Sequence, residues 1–167
     1  MTPDTVSPAD IDETPHERER PRDYALRMGE EKARAVDAPG FVLAGDTVVA
    51  AGRRILPKTE DADEARACLE LLSGRRHTVL SSIALRAPDG TLKSRLSENI
   101  VRFKSLSNEE IDAYLAGDEW RGKAGGYAIQ GSAEALIQWM RGSHSSVMGL
   151  PLYETRALLK SAGFDLD

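Results

Sequence analysis

Tyr24, Ala25, Met28, Lys32, Ala35 and Val36 fall at spacings that place them on one side of a helix over residues 21–37. Pro21 suits its first turn, where a backbone N–H has no intrahelical partner to lose. The period then changes. Phe41 to Ala51 is a nearly continuous run of apolar and β-branched residues ending at Gly52, which predicts a buried strand. Residues 60–72 return to helical spacing and stop at Ser73-Gly74. His77 to Ala87 and Thr91 to Phe103 flank Asp89-Gly90, a strong hairpin signal between extended segments. Ser107 and Glu110 form a capping box that starts a helix running to Ala116. Residues 135–141 fit helix and strand equally, and residues 150–162 read as a helix ending at Gly163. Helices and strands mix without regular βαβ alternation, so the expected class is α/β, a mixed, partly antiparallel sheet flanked by helices.

A chain of 167 residues is long enough for one substantial core, and no linker, low-complexity tract or repeat divides it. A single domain over residues 1–167 is expected. The formal charge of −5 argues against wrapping a nucleic-acid polymer, which calls for a basic face, but leaves room for one small anionic ligand. Cys68 is the only cysteine and lies in an apolar helical stripe, where it serves as a small core filler. With no internal disulfide available, a cytoplasmic setting is expected. No apolar run approaches the ~20 residues needed to span a bilayer, and the opening is acidic and polar, so neither a membrane partner nor export is expected.

Two stretches carry candidate chemistry. Residues 121–131 read Arg-Gly-Lys-Ala-Gly-Gly-Tyr-Ala-Ile-Gln-Gly. Glycines there would let backbone N–H groups approach a ligand, Lys123 offers a point charge for phosphate, and Gln130 can donate to and accept from a nucleobase edge. An ordinary turn has the same composition. Asp46 interrupts an apolar strand, and a buried ionised group requires a pairing partner, a cation or water. A strand end reaching solvent and a catalytic carboxylate both meet that requirement. His16, His77 and His144 lack the close spacing of a zinc site.

Gly45-Asp46-Thr47, Pro57-Lys58-Thr59-Glu60-Asp61, Leu72-Ser73-Gly74-Arg75-Arg76-His77, the 121–131 stretch and Val147-Met148-Gly149-Leu150-Pro151-Leu152 occur in that order. Together they resemble the Maf family from Ile11 to Gly163. The resemblance implies a nucleoside triphosphate pyrophosphatase that cuts between the α and β phosphates, releasing a nucleoside monophosphate and pyrophosphate. It also implies the elongated sheet of inosine-triphosphatase-like proteins, in two lobes with a central cleft. Asp46 would activate the attacking water, directly or through a metal, with Lys32 and Lys58 completing the catalytic set. Phosphoanhydride hydrolysis needs such charges to position the phosphates and neutralise the leaving group. Thr47, Lys123, Gln130 and Gly131 would bind substrate, and Glu13 of Asp12-Glu13-Thr14 would join Asp46 in holding Mg²⁺ or Mn²⁺. His77 would play a structural or supporting part.

Asp46-Thr47 and Ile129-Gln130-Gly131 match the family branch that acts on dTTP and UTP, whereas the 7-methyl-GTP branch commonly has Asp-Gln and a glutamate at those places. The resemblance further implies a homodimer. Family members open with a strand and a Leu-Ala-Ser-x-Ser-Pro-Arg-Arg-like loop, so the chain as given is expected to be N-terminally truncated relative to the family and weakened in activity. The alternatives are a 7-methyl-GTP pyrophosphatase and a non-catalytic nucleotide-binding regulator of septum formation.

Overall fold

The computed structural model describes residues 2–166. It contains α1 (Pro21–Ala35), β1 (Val42–Ala51), β2 (Arg54–Leu56), α2 (Ala62–Leu72), β3 (Arg76–Arg86), β4 (Leu92–Phe103), α3 (Asn108–Leu115), β5 (Ile137–Arg141), α4 (His144–Val147) and α5 (Leu152–Ser161). The α/β class stands, and the local signals explain most boundaries. Pro21 opens α1, the Asp61 side chain accepts from Glu64 N at the start of α2, and the Ser107–Glu110 capping box is formed in both directions. Gly74 and Gly163 take positive φ just past α2 and α5, and Gly90 does so in the turn between β3 and β4, a conformation that favours glycine. On α1 the buried stripe is Tyr24, Ala25, Met28, Gly29 and Ala33, while Ala35, expected on it, is the last residue of the helix and exposed.

The 135–141 ambiguity divides between both options, with a 3-10 turn over Ser132–Leu136 leading directly into β5. Strand β2 gives no periodic signal because it is only three residues long. It exists because Gly52, with φ 64°, lets the chain fold straight back, pairing Ala51 with Arg54.

The sheet runs β2-β1-β3-β4-β5, and its four ladders are antiparallel. The expected mixed sheet is therefore antiparallel throughout among the described strands. Gly52-Arg53 and the 87–91 turn reverse the chain locally, and α2 returns it beside β1 in the opposite direction.

Strand alternation sorts side chains onto two faces. Val48 and Leu80 pack under Tyr24, Ala25 and Met28 of α1. On the other face Val49, Val79, Val101 and Phe103 meet Cys68 and Leu69 of α2, Ile111 and Tyr114 of α3, and Val147 of α4. Ile83 and Leu85 meet Leu158 and Leu159 of α5. Cys68 is buried within this core, as its apolar stripe required. One consequence positions the site: Asp46 and Thr47, adjacent on β1, project to opposite faces of the sheet.

Candidate active site

Asp46 faces α1, where Lys32 sits one turn beyond Met28. Lys32 Nζ donates to Asp46 Oδ1 at 2.6 Å and lies 2.7 Å from Glu13 Oε1. Lys58 Nζ, just beyond the β1–β2 hairpin, donates to Glu13 Oε2 at 2.6 Å and reaches Asp46 Oδ1 at 3.4 Å. Two carboxylates and two ammonium groups thus alternate in a closed ring of zero formal charge. This ring is the partner that a buried Asp46, 6% exposed, demands. Burial pushes the Glu13 carboxyl upward, but the hydrogen bonds and charges of Lys32 and Lys58 outweigh it and hold Glu13 below the ordinary carboxylate range. Burial likewise works against the Lys58 ammonium, and Glu13 and Asp46 reverse that, raising Lys58 above the usual lysine value. Glu13 is fixed through its backbone: the Tyr24 hydroxyl donates to its carbonyl at 2.7 Å.

Thr47 opens on the opposite face into a cleft lined by Lys58, Lys123, Tyr127, Gln130, Val147 and Met148, among others. Lys58 belongs to both the ring and the cleft, so the two compartments communicate around the margin of β1. Lys58 and Lys123 are held side by side because the backbones of 57–59 and 122–125 are strapped together. Thr59 N donates to the Lys123 carbonyl, Gly122 N to Thr59 O and Gly125 N to Pro57 O, and Lys58 bridges to Ala124 as an isolated antiparallel pair. The buried Thr59 hydroxyl adds a bond to the Trp120 carbonyl at 2.8 Å.

This strap corrects the expectation that the glycines lend N–H groups to a ligand. The N–H groups of Gly122, Gly125, Gly126 and Gly131 all bond to carbonyls of the chain itself. Gly125 and Gly126 are glycines because both have positive φ and a Cβ would press on Val49 and on the Ala65 backbone. Gly131 is not among the cleft-lining residues. It packs on Glu119, whose carboxylate a Cβ would strike and which accepts from Ser132 N and Oγ.

A model of the family described as Maf-like protein matches residues 1–162. This chain belongs to the Maf family. It is 63% identical to a dTTP/UTP pyrophosphatase of Novosphingobium aromaticivorans over 99% of this chain and 84% of that protein. It is 60% identical to the dTTP/UTP pyrophosphatase of Rhodospirillum rubrum, over 98% of this chain and 80% of the relative. For the protein of that name from Caulobacter vibrioides the identity is 58%, over 98% and 86%.

Of the residues singled out in the Maf sequence, Glu13, Lys32, Asp46 and Lys58 form the ring, and Thr47, Lys58, Lys123 and Gln130 line the cleft. Other side chains stand behind them. The Tyr127 hydroxyl, at the back of the cleft, bonds His77 Nε2 at 2.7 Å. Burial alone drops the His77 imidazole to about 4, so the ring is neutral near pH 7. Ser81, Ser146 and Asn99 form a buried polar chain beneath Thr47. For Ser81 the signal was present in Val79-Leu80-Ser81-Ser82-Ile83, since a hydroxyl inside an apolar strand must find a partner. Which partner depends on tertiary contact.

Whether the ring suits a divalent cation is decided by its donor set. Among the described residues no cluster of three or more His, Cys, Asp or Glu could hold a metal unaided. Two facing carboxylates remain, Glu13 and Asp46. That is the sparse oxygen set on which Mg²⁺ or Mn²⁺ is held together with waters and substrate phosphate.

Proposed function

We propose that this chain hydrolyses dTTP and UTP to the monophosphate and pyrophosphate, clearing these and related modified pyrimidine nucleotides from the nucleotide pool. The observation that carries this is the sharing of Lys58 between a carboxylate–lysine ring and a cleft that presents Thr47 and Gln130. The names of the close relatives support the same substrates.

A triphosphate lying across the margin of β1 has its base on the Thr47 face and its phosphates toward the ring. Lys58, Lys32 and Lys123 neutralise the charge that develops on the leaving pyrophosphate, which is most of what a protein contributes to phosphoryl-bond cleavage. Asp46, released from its lysines as they turn to phosphate, takes a proton from the attacking water. The water oxygen bonds to the α phosphorus, the bond to the bridging oxygen breaks, and pyrophosphate leaves. Glu13 and Asp46 are the residues that would hold Mg²⁺ or Mn²⁺, which would supply further charge neutralisation at the phosphates.

The test is pyrophosphate release with Mg²⁺ from dTTP, UTP, CTP, ATP, GTP and 7-methyl-GTP, with Asp46→Asn alongside. Selective turnover of dTTP and UTP is expected, falling roughly 10²–10⁴-fold in the variant, the usual worth of a positioned general base. Turnover that ignores the base, or survives Asp46→Asn, overturns the proposal.

A further inference from the structure

The hydroxyl of Thr47 is one of few polar groups in the cleft placed to meet a base, and the direction of its proton is set from beneath. Thr47 and Ser81 are cross-strand partners on β1 and β3, with Thr47 Oγ1 3.0 Å from Ser81 Oγ. Taken alone, that bond could run either way. Ser81 Oγ, however, lies 2.6 Å from the backbone carbonyl of Ser146. A carbonyl only accepts, and a serine hydroxyl has one hydrogen. Ser81 therefore gives its hydrogen to Ser146 O, and the bond between Thr47 and Ser81 must be donated by Thr47.

The Ser146 carbonyl is itself immobilised. Asn99 Nδ2 donates to Ser146 Oγ at 2.8 Å and to the Val79 carbonyl at 3.2 Å, while Asn99 Oδ1 accepts from Ser143 N at 2.8 Å. The Ser146 and Val79 carbonyls and the Ser143 N–H, on which these side chains end, are backbone groups whose donor or acceptor sense cannot change. Ser81 and Ser146 are fully buried and Asn99 is 1% exposed, so the bonds from Ser81 to Ser146 O and from Asn99 to Val79 O and Ser146 Oγ are shielded from solvent. With its hydrogen directed inward, Thr47 Oγ1 can offer the cleft only lone pairs.

We infer that Ser81 is a positioning residue that locks Thr47 as a hydrogen-bond acceptor, so that the cleft selects bases presenting an N3–H donor. This deepens the proposed function and rests on its seating of a pyrimidine against Thr47 and Gln130. Uracil and thymine both carry a hydrogen on N3, whereas cytosine carries a lone pair there. Two facing lone pairs leave both groups unpaired in a desolvated pocket, where such a loss costs about tenfold or more in affinity. Gln130 can complement either carbonyl or amino groups by turning its amide. Discrimination between uracil and cytosine therefore falls to the group whose polarity is fixed.

The test is calorimetric binding of UMP and CMP, products of the proposed reaction and its cytidine counterpart, to the full chain with Mg²⁺. The quantity read is the ratio of the two affinities. Wild type is expected to prefer UMP. Ser81→Ala frees the Thr47 hydroxyl to rotate and donate, so the preference is expected to fall roughly tenfold, through weaker UMP binding and stronger CMP binding. Ser81→Thr and Ser81→Val have the same shape and differ only in the hydroxyl, so they separate polarity from packing if the alanine variant folds poorly. The threonine variant is expected to keep the preference and the valine variant to lose it. General loosening of the cleft would weaken both ligands and leave the ratio unchanged. A ratio in Ser81→Ala or Ser81→Val within twofold of wild type, or no preference in wild type, overturns the inference. Thr47→Val separates the two proposals: if it abolishes the preference while the Ser81 variants do not, the base seat stands and the lock falls. If Thr47→Val has no effect either, the seat itself is wrong.

Discussion

Lys123 is exposed, lines the cleft and has the strapped backbone of residues 57–59 as its support. It takes no part in the carboxylate–lysine ring, so removing its charge leaves that ring intact. Lys123→Ala is therefore expected to raise KM for triphosphates about tenfold, as loss of one charge-assisted phosphate contact does, without changing the melting temperature. Steady-state kinetics beside a thermal melt checks this, and an equal fall in stability would mean that the side chain serves the fold instead. Lys32 and Lys58 cannot be probed so simply. Deleting either leaves Asp46 or Glu13 with fewer counter-charges in a part-buried setting, which mixes a stability cost with any catalytic one.

Glycine in the 121–131 stretch matters to element packing more than to ligand approach. Gly125 has φ 69°, and a Cβ there would sit 2.9 Å from Val49 Cγ1 on β1, a branched side chain that is itself 3% exposed. Gly125→Ala is expected to cost about 1–3 kcal/mol through backbone strain and overpacking. It should also loosen the strap between residues 57–59 and 122–125 that sets Lys58 beside Lys123. Urea denaturation measures the first effect and triphosphate KM the second. An alanine variant as stable and as active as wild type would show that the strap tolerates the shift. The glycine pattern was legible in the sequence as a site of close approach. What approaches is β1 and α2, and that depends on which elements the fold brings against the loop.

The whole molecule carries a titratable group in its larger core. His77 stacks on Phe103, bonds Tyr127, and is pulled from its ordinary value near 6.5 down to about 4 by burial. Between those values the unfolded chain binds a proton that the folded chain refuses. Unfolding free energy therefore rises with pH across that window, and acidification from 6.5 to 4 should cost about 3 kcal/mol. Glu19, held at about 2 chiefly by its hydrogen bonds from Arg27, adds a loss of the same sign only at lower pH. Denaturation followed between pH 6.5 and 5 isolates the histidine, and His77→Gln is expected to flatten the slope there. A slope unchanged in the variant would assign the pH dependence elsewhere.

Local patterning alone determined the four longer helices, the long hairpin and most caps, but not the one-turn α4 or the short β2. Proline, glycine and capping residues act within a few positions of themselves, and burial repeats with the period of the element. The motif order singled out Asp46, Thr47, Lys58, Lys123 and Gln130, of which the structure gathers Thr47, Lys58, Lys123 and Gln130 around one cleft and leaves Asp46 on the opposite face of β1, joined to them through Lys58. Three further features needed the folded chain. Antiparallel pairing throughout the sheet followed from how α2 returns the chain beside β1. The ring of Glu13, Lys32, Asp46 and Lys58 joins side chains far apart in sequence, and its alternation of charge exists only once α1 lies on β1. The acceptor sense of Thr47 depends on Ser146, whose carbonyl reaches Ser81 from the far end of the chain. Local order is written in short-range sterics and spacing, whereas charge pairing and proton direction depend on distances that only packing sets.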